Sequence, residues 1–107
     1  VANAVRNVVA NFTCLGLDDD REMARISTKS LIEAARQATA AEADALFISC
    51  TAVRAAGIAA RIEQAIGKPV VTSNLATAWA TLRICGEHAP QPERGSLMAQ
   101  PMASWQP

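Results

Sequence analysis

The chain is poor in aromatic residues. It has two phenylalanines, two tryptophans and no tyrosine, so Phe12, Phe47, Trp79 and Trp105 are the whole set. Four dispersed rings make no platform for stacking bases. Charge of one sign is also missing: ten Lys plus Arg stand against ten Asp plus Glu, for a formal net charge of zero. With no basic field, neither nucleic acid nor an anionic membrane is an expected partner. No apolar run is long enough to cross a bilayer, and the start lacks the charged-then-apolar pattern of a secretory leader. His88 is the only histidine, and the three cysteines, Cys14, Cys50 and Cys85, are far apart with no CxxC. That pattern suits neither a zinc site nor a disulfide framework. It fits reduced thiols in a cytoplasmic protein with no metal. The five glycines form neither a GxGxxG fingerprint nor a Walker loop, so no nucleotide cofactor is indicated.

What the chain does have is length for one domain, 107 residues, and a hydrophobic half rich in alanine. Val1 to Ala10 reads as a short helix or the tail of one. Val8 to Leu15 (VVANFTCL) is β-branched and aromatic up to Gly16 and reads as a strand. Asp18, Asp19 and Asp20 fit a capping turn for a short helix from Arg21 to Arg25 better than a calcium loop, for which the glycine pattern is lacking. Ser27 or Thr28 caps a second helix running to about Ala41, with Leu31, Ile32, Ala35 and Ala38 at helical spacing and Glu33 in the first turn. Ala45 to Ser49 (ALFIS) is almost wholly apolar, as in a strand covered on both faces. A helix over Arg54 to Ile66 carries Ile58, Ile62 and Ile66 on one stripe and ends at Gly67 before Pro69. Val70 to Thr72 reads as a third strand, and Ser73 or Asn74 caps a helix from Leu75 to Cys85, closed by Gly86.

Strand and helix alternate three times. Such spacing implies right-handed crossovers and a small parallel sheet with flanking helices, an α/β three-layer arrangement of the flavodoxin or Rossmann kind. Residues 1–86 form this unit. Residues 87–107 hold four of the five prolines and read as a surface tail.

In open α/β sheets, ligands bind beyond the carboxyl ends of the strands. Three loops fall there: Gly16 to Asp20, Cys50 to Val53, and Ser73 to Asn74. Cys50 follows the central apolar strand, with a helix expected soon after. Free N–H groups and the positive end of a helix dipole stabilise thiolates, and such a thiol can serve as a proton carrier or nucleophile. Against this, cysteine is among the most buried residue types and in most places only packs. Packing is the better reading for Cys14, inside a strand, and Cys85, at a helix end, reads as having no special role. Trp79 reads as core or as an interface anchor, and His88 as solvated.

The stretches ALFISCTAVR (Ala45 to Arg54), IEQAIGKPVVTSN (Ile62 to Asn74) and ATAWATLRICG (Ala76 to Gly86) resemble the C-terminal half of maleate cis-trans isomerases. They are similar, too, to arylmalonate decarboxylases and ectoine-utilisation proteins of the same aspartate/glutamate racemase superfamily. CLGLDDDREMARIS (Cys14 to Ser27) resembles the segment that precedes this motif in those proteins. The resemblance implies one of two similar α/β lobes, with the site in the cleft between them and no cofactor. Racemases and isomerases of the superfamily offer one cysteine from each lobe. Decarboxylases keep only that of the second lobe, as proton donor to an enediolate. Cys50 matches the second-lobe cysteine in each case.

By the same resemblance, Thr51 stands where isomerases and racemases have threonine and decarboxylases have glycine. Its hydroxyl and N–H would hold a substrate carboxylate. Ala52 and Val53 continue that loop, Met23 matches a residue lining the decarboxylase pocket, and Asn74, beside Ser73, lies near the cleft. A maleate-isomerase-like lobe acting on a small dicarboxylate or amino acid is the leading expectation. A decarboxylase, or a non-catalytic α/β module, is the alternative. The first lobe is absent from the sequence, which opens on Val1 rather than methionine. The chain by itself is therefore expected to be inactive, and to seek either that lobe or a second copy of itself.

Overall fold

A computed structural model describes residues 8–103. Six regular elements carry the fold: α1 (Asp20–Met23), α2 (Thr28–Ala38), β1 (Leu46–Ile48), α3 (Ala59–Ile66), β2 (Val70–Thr72) and α4 (Ser73–Ile84). Single 3-10 turns cover Ala56–Ile58, Pro92–Arg94 and Leu97–Ala99. The strands β1 and β2 pair in parallel, Leu46 against Val70, Phe47 against Val71 and Ile48 against Thr72. The expected α/β class, with a parallel sheet and flanking helices, is what the chain adopts.

Local rules account for most element ends. Ser27 caps α2 by accepting from the Ser30 N–H, and Gly67 closes α3 at φ 71°, a left-handed conformation that favours glycine. One face of α2, of α3 and of α4 supplies the core. Ala35, Ala59, Ile62, Val70, Leu75 and Met98 form its centre, with Ile58 and Ile66 packed against it. A smaller cluster of Leu31, Val53 and Ala55 lies under Met23 and Cys50.

Several expectations are corrected. Among the described residues the sheet has two strands, not three. Val8 to Leu15 is not a strand: nothing pairs with it and Phe12 is 82% exposed. β-Propensity expresses the fit of a side chain to a pleated, half-buried surface, and this segment has no such surface. It is tied down by Asn11, whose side-chain amide donates to the Ala38 carbonyl at 2.8 Å. Cys14 is accordingly exposed rather than packed. The β1 strand is covered on one face only. Leu46 and Ile48 turn to the core, while Phe47 between them is 62% exposed. Helix α2 stops at Ala38, and Glu33 lies beyond its first turn. The helix expected from Arg54 begins as a 3-10 turn at Ala56. The proposed helix at Val1 to Ala10 falls mostly, and Trp105 wholly, outside the described residues.

The proline-rich segment also behaves differently from a surface tail. Met98 is buried against the core, and the chain folds back so that the Gln91 N–H donates to the Met98 carbonyl at 3.0 Å. Arg83, buried in the last turn of α4, donates to the carbonyls of Met98 (2.8 Å), Glu87 (3.0 Å) and Gln100 (3.2 Å). Trp79 adds a bond from Nε1 to the Gln100 carbonyl at 2.9 Å. From α3, the Glu63 carboxylate accepts from the Ser96 N–H at 2.9 Å and from the Val70 N–H, at the start of β2, also at 2.9 Å. Gly95 permits this approach. Its φ is 117°, and a Cβ there would lie 3.2 Å from Glu63 Oε1.

Candidate functional site

Parallel neighbours end at the same sheet edge, so the loops after β1 and β2 emerge side by side. Continuing the register beyond Ile48 and Thr72 brings Cys50 opposite Asn74. The loop after β1 is Cys50 to Val53, and the chain after β2 enters α4 directly. Ser73 and Asn74, expected as caps, are instead the first residues of that helix. The cap is Thr72, whose buried Oγ1 accepts from the Leu75 N–H at 3.0 Å.

This frees the side chains of Ser73 and Asn74 to bind the neighbouring loop. Ser73 Oγ accepts from the Cys50 N–H at 3.1 Å. Asn74 Nδ2 donates to the Thr51 carbonyl at 2.9 Å. The helix dipole nearest Cys50 along the sheet edge is therefore that of α4, not that of α3, which starts nine residues after Cys50 at Ala59. Among the described residues, Cys50 is the one non-glycine residue with positive φ, 102°. For a residue with a Cβ this costs on the order of 1–3 kcal/mol and persists only where surrounding contacts over-determine it.

Cys50 is half-buried. Its thiol donates to the Met23 thioether, Sγ to Sδ 3.4 Å. Met23 is delivered by α1, whose N-cap Asp19 accepts from the Arg21 N–H at 2.8 Å. The Arg21 guanidinium, 2.9 Å from Asp19, holds that carboxyl below its ordinary value of 3.8. The residues expected at the site thus occupy one end of the sheet in different ways. Cys50 and Met23 touch, and Asn74 reaches the same loop through the Thr51 carbonyl. Thr51 is exposed and Ala52 half-buried. Val53, only 6% exposed, packs with Leu31 and Ala55 beneath the loop. The bond from Cys50 to Ser73 is a contact the sequence reading did not anticipate. Its signal is the 24-residue offset of the parallel register, visible once β1 and β2 are aligned.

A groove of about 500 Å³ lies elsewhere, between the Ala56–Ile58 turn, α4 and the C-terminal segment. Asn74 lines its rim, but Cys50 does not. Among the described residues no cluster of His, Cys, Asp and Glu could hold a metal ion, and no helix is long and apolar enough to cross a membrane.

A family profile described as "Amdase: Arylmalonate decarboxylase" matches residues 3–98. Solved structures agree. A crystal structure of arylmalonate decarboxylase is similar over 78% of this chain, with 30% identity and a TM-score of 0.67. A glycine-to-cysteine variant of arylmalonate decarboxylase, in a sulfate-associated form, is similar over 82% at 28% identity and a TM-score of 0.71. The chain spans 38% and 39% of those two proteins, respectively. Among curated proteins none matches the sequence significantly.

Proposed function

The chain belongs to the arylmalonate decarboxylase family, and from that premise we propose that it is the second lobe of an enzyme that moves a proton at the carbon next to a carboxylate, with Cys50 as the proton carrier. The observation that carries the reading is the state of Cys50. It is a half-buried thiol just beyond the carboxyl end of β1, at φ 102°, with its N–H bonded to Ser73 of the neighbouring helix. Backbone strain retained at one nucleophilic side chain is typical of functional positions. In the decarboxylase reaction a malonate carbon loses CO2, and the C–C bonding pair becomes an enediolate. The Cys50 S–H bond then breaks as its proton passes to that carbon, leaving a thiolate that solvent reprotonates. No cofactor enters this sequence. Met23 walls the apolar side of the substrate, while Thr51 and Asn74 line the polar side with the Ala52 backbone; Val53, buried beneath the loop, supports it from below.

Thr51 favours a second reading. It matches the isomerase and racemase branches rather than the glycine of decarboxylases, so a maleate-isomerase-like enzyme, adding the Cys50 thiolate to a double bond, competes with decarboxylation. Either enzyme needs groups facing Cys50 from a first lobe or a second copy of the chain, because charge on a carboxylate is stabilised by donors from both sides.

The test uses the protein that carries this lobe, assayed with an arylmalonate and with maleate in D2O. Decarboxylation gives a product bearing one deuterium at the α carbon, whereas isomerisation gives fumarate. Cys50→Ala is expected to lower the active reaction by about 10²–10⁴-fold, the usual share of a general acid. Turnover unchanged by Cys50→Ala would remove Cys50 from the chemistry.

A further inference from the structure

We infer that Ser73 and Asn74 are positioning residues: the first turn of α4 clamps the loop after β1 and holds Cys50 in the backbone conformation that sets its thiol against Met23. The inference rests on the reading of Cys50 as the reactive thiol, but it is carried by separate observations. Two side chains, consecutive in sequence, reach the same two-residue stretch 23 residues away. Ser73 Oγ takes the Cys50 N–H at 3.1 Å, and Asn74 Nδ2 binds the Thr51 carbonyl at 2.9 Å. Together they engage the donor on one side of the Cys50–Thr51 unit and the acceptor on the other, fixing its rotation relative to the helix.

Capping does not explain either side chain. Thr72 already caps α4, so Ser73 and Asn74 are not needed for the helix start. Helix propensity does not explain them, since serine and asparagine are weaker helix formers than alanine. What they satisfy is the loop. The bent backbone at Cys50 leaves an N–H that cannot join a ladder, because β1 ends at Ile48. A polar group in this position needs a partner, and Ser73 is the one it has. A residue with a Cβ leaves positive φ when its constraints are removed. Without the clamp, Cys50 is therefore expected to relax to extended backbone of strongly negative φ, continuing the direction of β1, and its sulfur to leave Met23.

The experiment is performed on the 107-residue chain by NMR, with circular dichroism as a check that the helices remain. In the unaltered chain Cys50 is expected to show a small amide-to-α-proton coupling, as its φ of 102° requires, and nuclear Overhauser contacts to the Met23 methyl. Ser73→Ala is expected to raise that coupling and to weaken or abolish the Met23 contacts. Ser73→Thr, which retains the hydroxyl, restores both. Asn74→Ala removes only an exposed side chain, so it leaves the fold intact, and it should move the coupling in the same direction by a smaller amount. If Ser73→Ala does not fold, Asn74→Ala decides alone. Couplings and contacts at Cys50 that stay unchanged in the folded variants overturn the inference. Because these readouts follow the Cys50 backbone rather than turnover, their failure is separable from failure of the catalytic assignment, which the Cys50→Ala assay tests by itself.

Discussion

Thr72 ends β2 and starts α4, and its side chain is buried while its hydroxyl accepts from the Leu75 N–H at 3.0 Å. Valine has nearly the same shape but no acceptor. Thr72→Val is therefore expected to leave an unpaired, buried N–H and to cost about 1–2 kcal/mol, the upper part of the range for a lost N-cap. Urea denaturation monitored by circular dichroism measures it, and a midpoint equal to that of the unaltered chain would refute the capping role. Residues whose effect is local were legible in the sequence. Ser27 could be read as a cap and Gly67 as a stop, because each acts on neighbours a few positions away. The cap of α4 lies one or two residues before the Ser73 or Asn74 that local pattern favours, since Thr72, Ser73 and Asn74 are all good caps and only packing distinguishes them. The Ser73 contact to Cys50 spans 23 residues, beyond what a local pattern expresses.

At the scale of elements, local pattern found α2 and α3 by their helical spacing, α4 by its cap and stop residues, and both paired strands by their short apolar runs. It failed for Val8 to Leu15, where composition suits a strand but no neighbouring strand is present, and for residues 91–100, where prolines suggested a tail. That second segment is held by two polar clamps. From α3 the Glu63 carboxylate accepts from the Ser96 N–H, and from α4 the buried Arg83 guanidinium donates to two of the segment's carbonyls, Met98 and Gln100. A clamp of this kind has no sequence period. It covers the apolar side of α4 with Met98, so the chain itself fills part of that surface. Hydrogen bonds to a charged group are worth more than neutral ones, and removing the donor strands several acceptors at once. Arg83→Ala is therefore expected to cost about 2–3 kcal/mol and to loosen the segment. Trypsin should then cut after the exposed Arg94 well before it cuts elsewhere, an order that timed mass spectrometry resolves. If cleavage at Arg94 is no faster than in the unaltered chain, Arg83 does not anchor the segment.

For the molecule as a whole, the unequal covering of the sheet is the dominant fact. The core packs one face of β1, yet Phe47 stands exposed on the other, and among the described residues each of the two strands has one unpaired edge. Ile84 at the end of α4 and Leu15 before α1 are exposed as well. An uncovered aromatic side chain beside an open strand edge promotes pairing with another chain. The formal net charge of zero supplies no overall repulsion to oppose it. Most of the length of the arylmalonate decarboxylases has no counterpart in this chain, and residues from that missing portion would be one way to cover the face. In their absence the 107-residue chain is expected to self-associate through β1. Sedimentation velocity across a hundredfold concentration range tests this: the weight-average coefficient should rise with concentration, and Phe47→Lys should return it toward the monomer value by placing a charge at the contact. A chain that sediments as a monomer at every concentration, with Phe47→Lys making no difference, would show that the exposed face of β1 is tolerated in water without a partner.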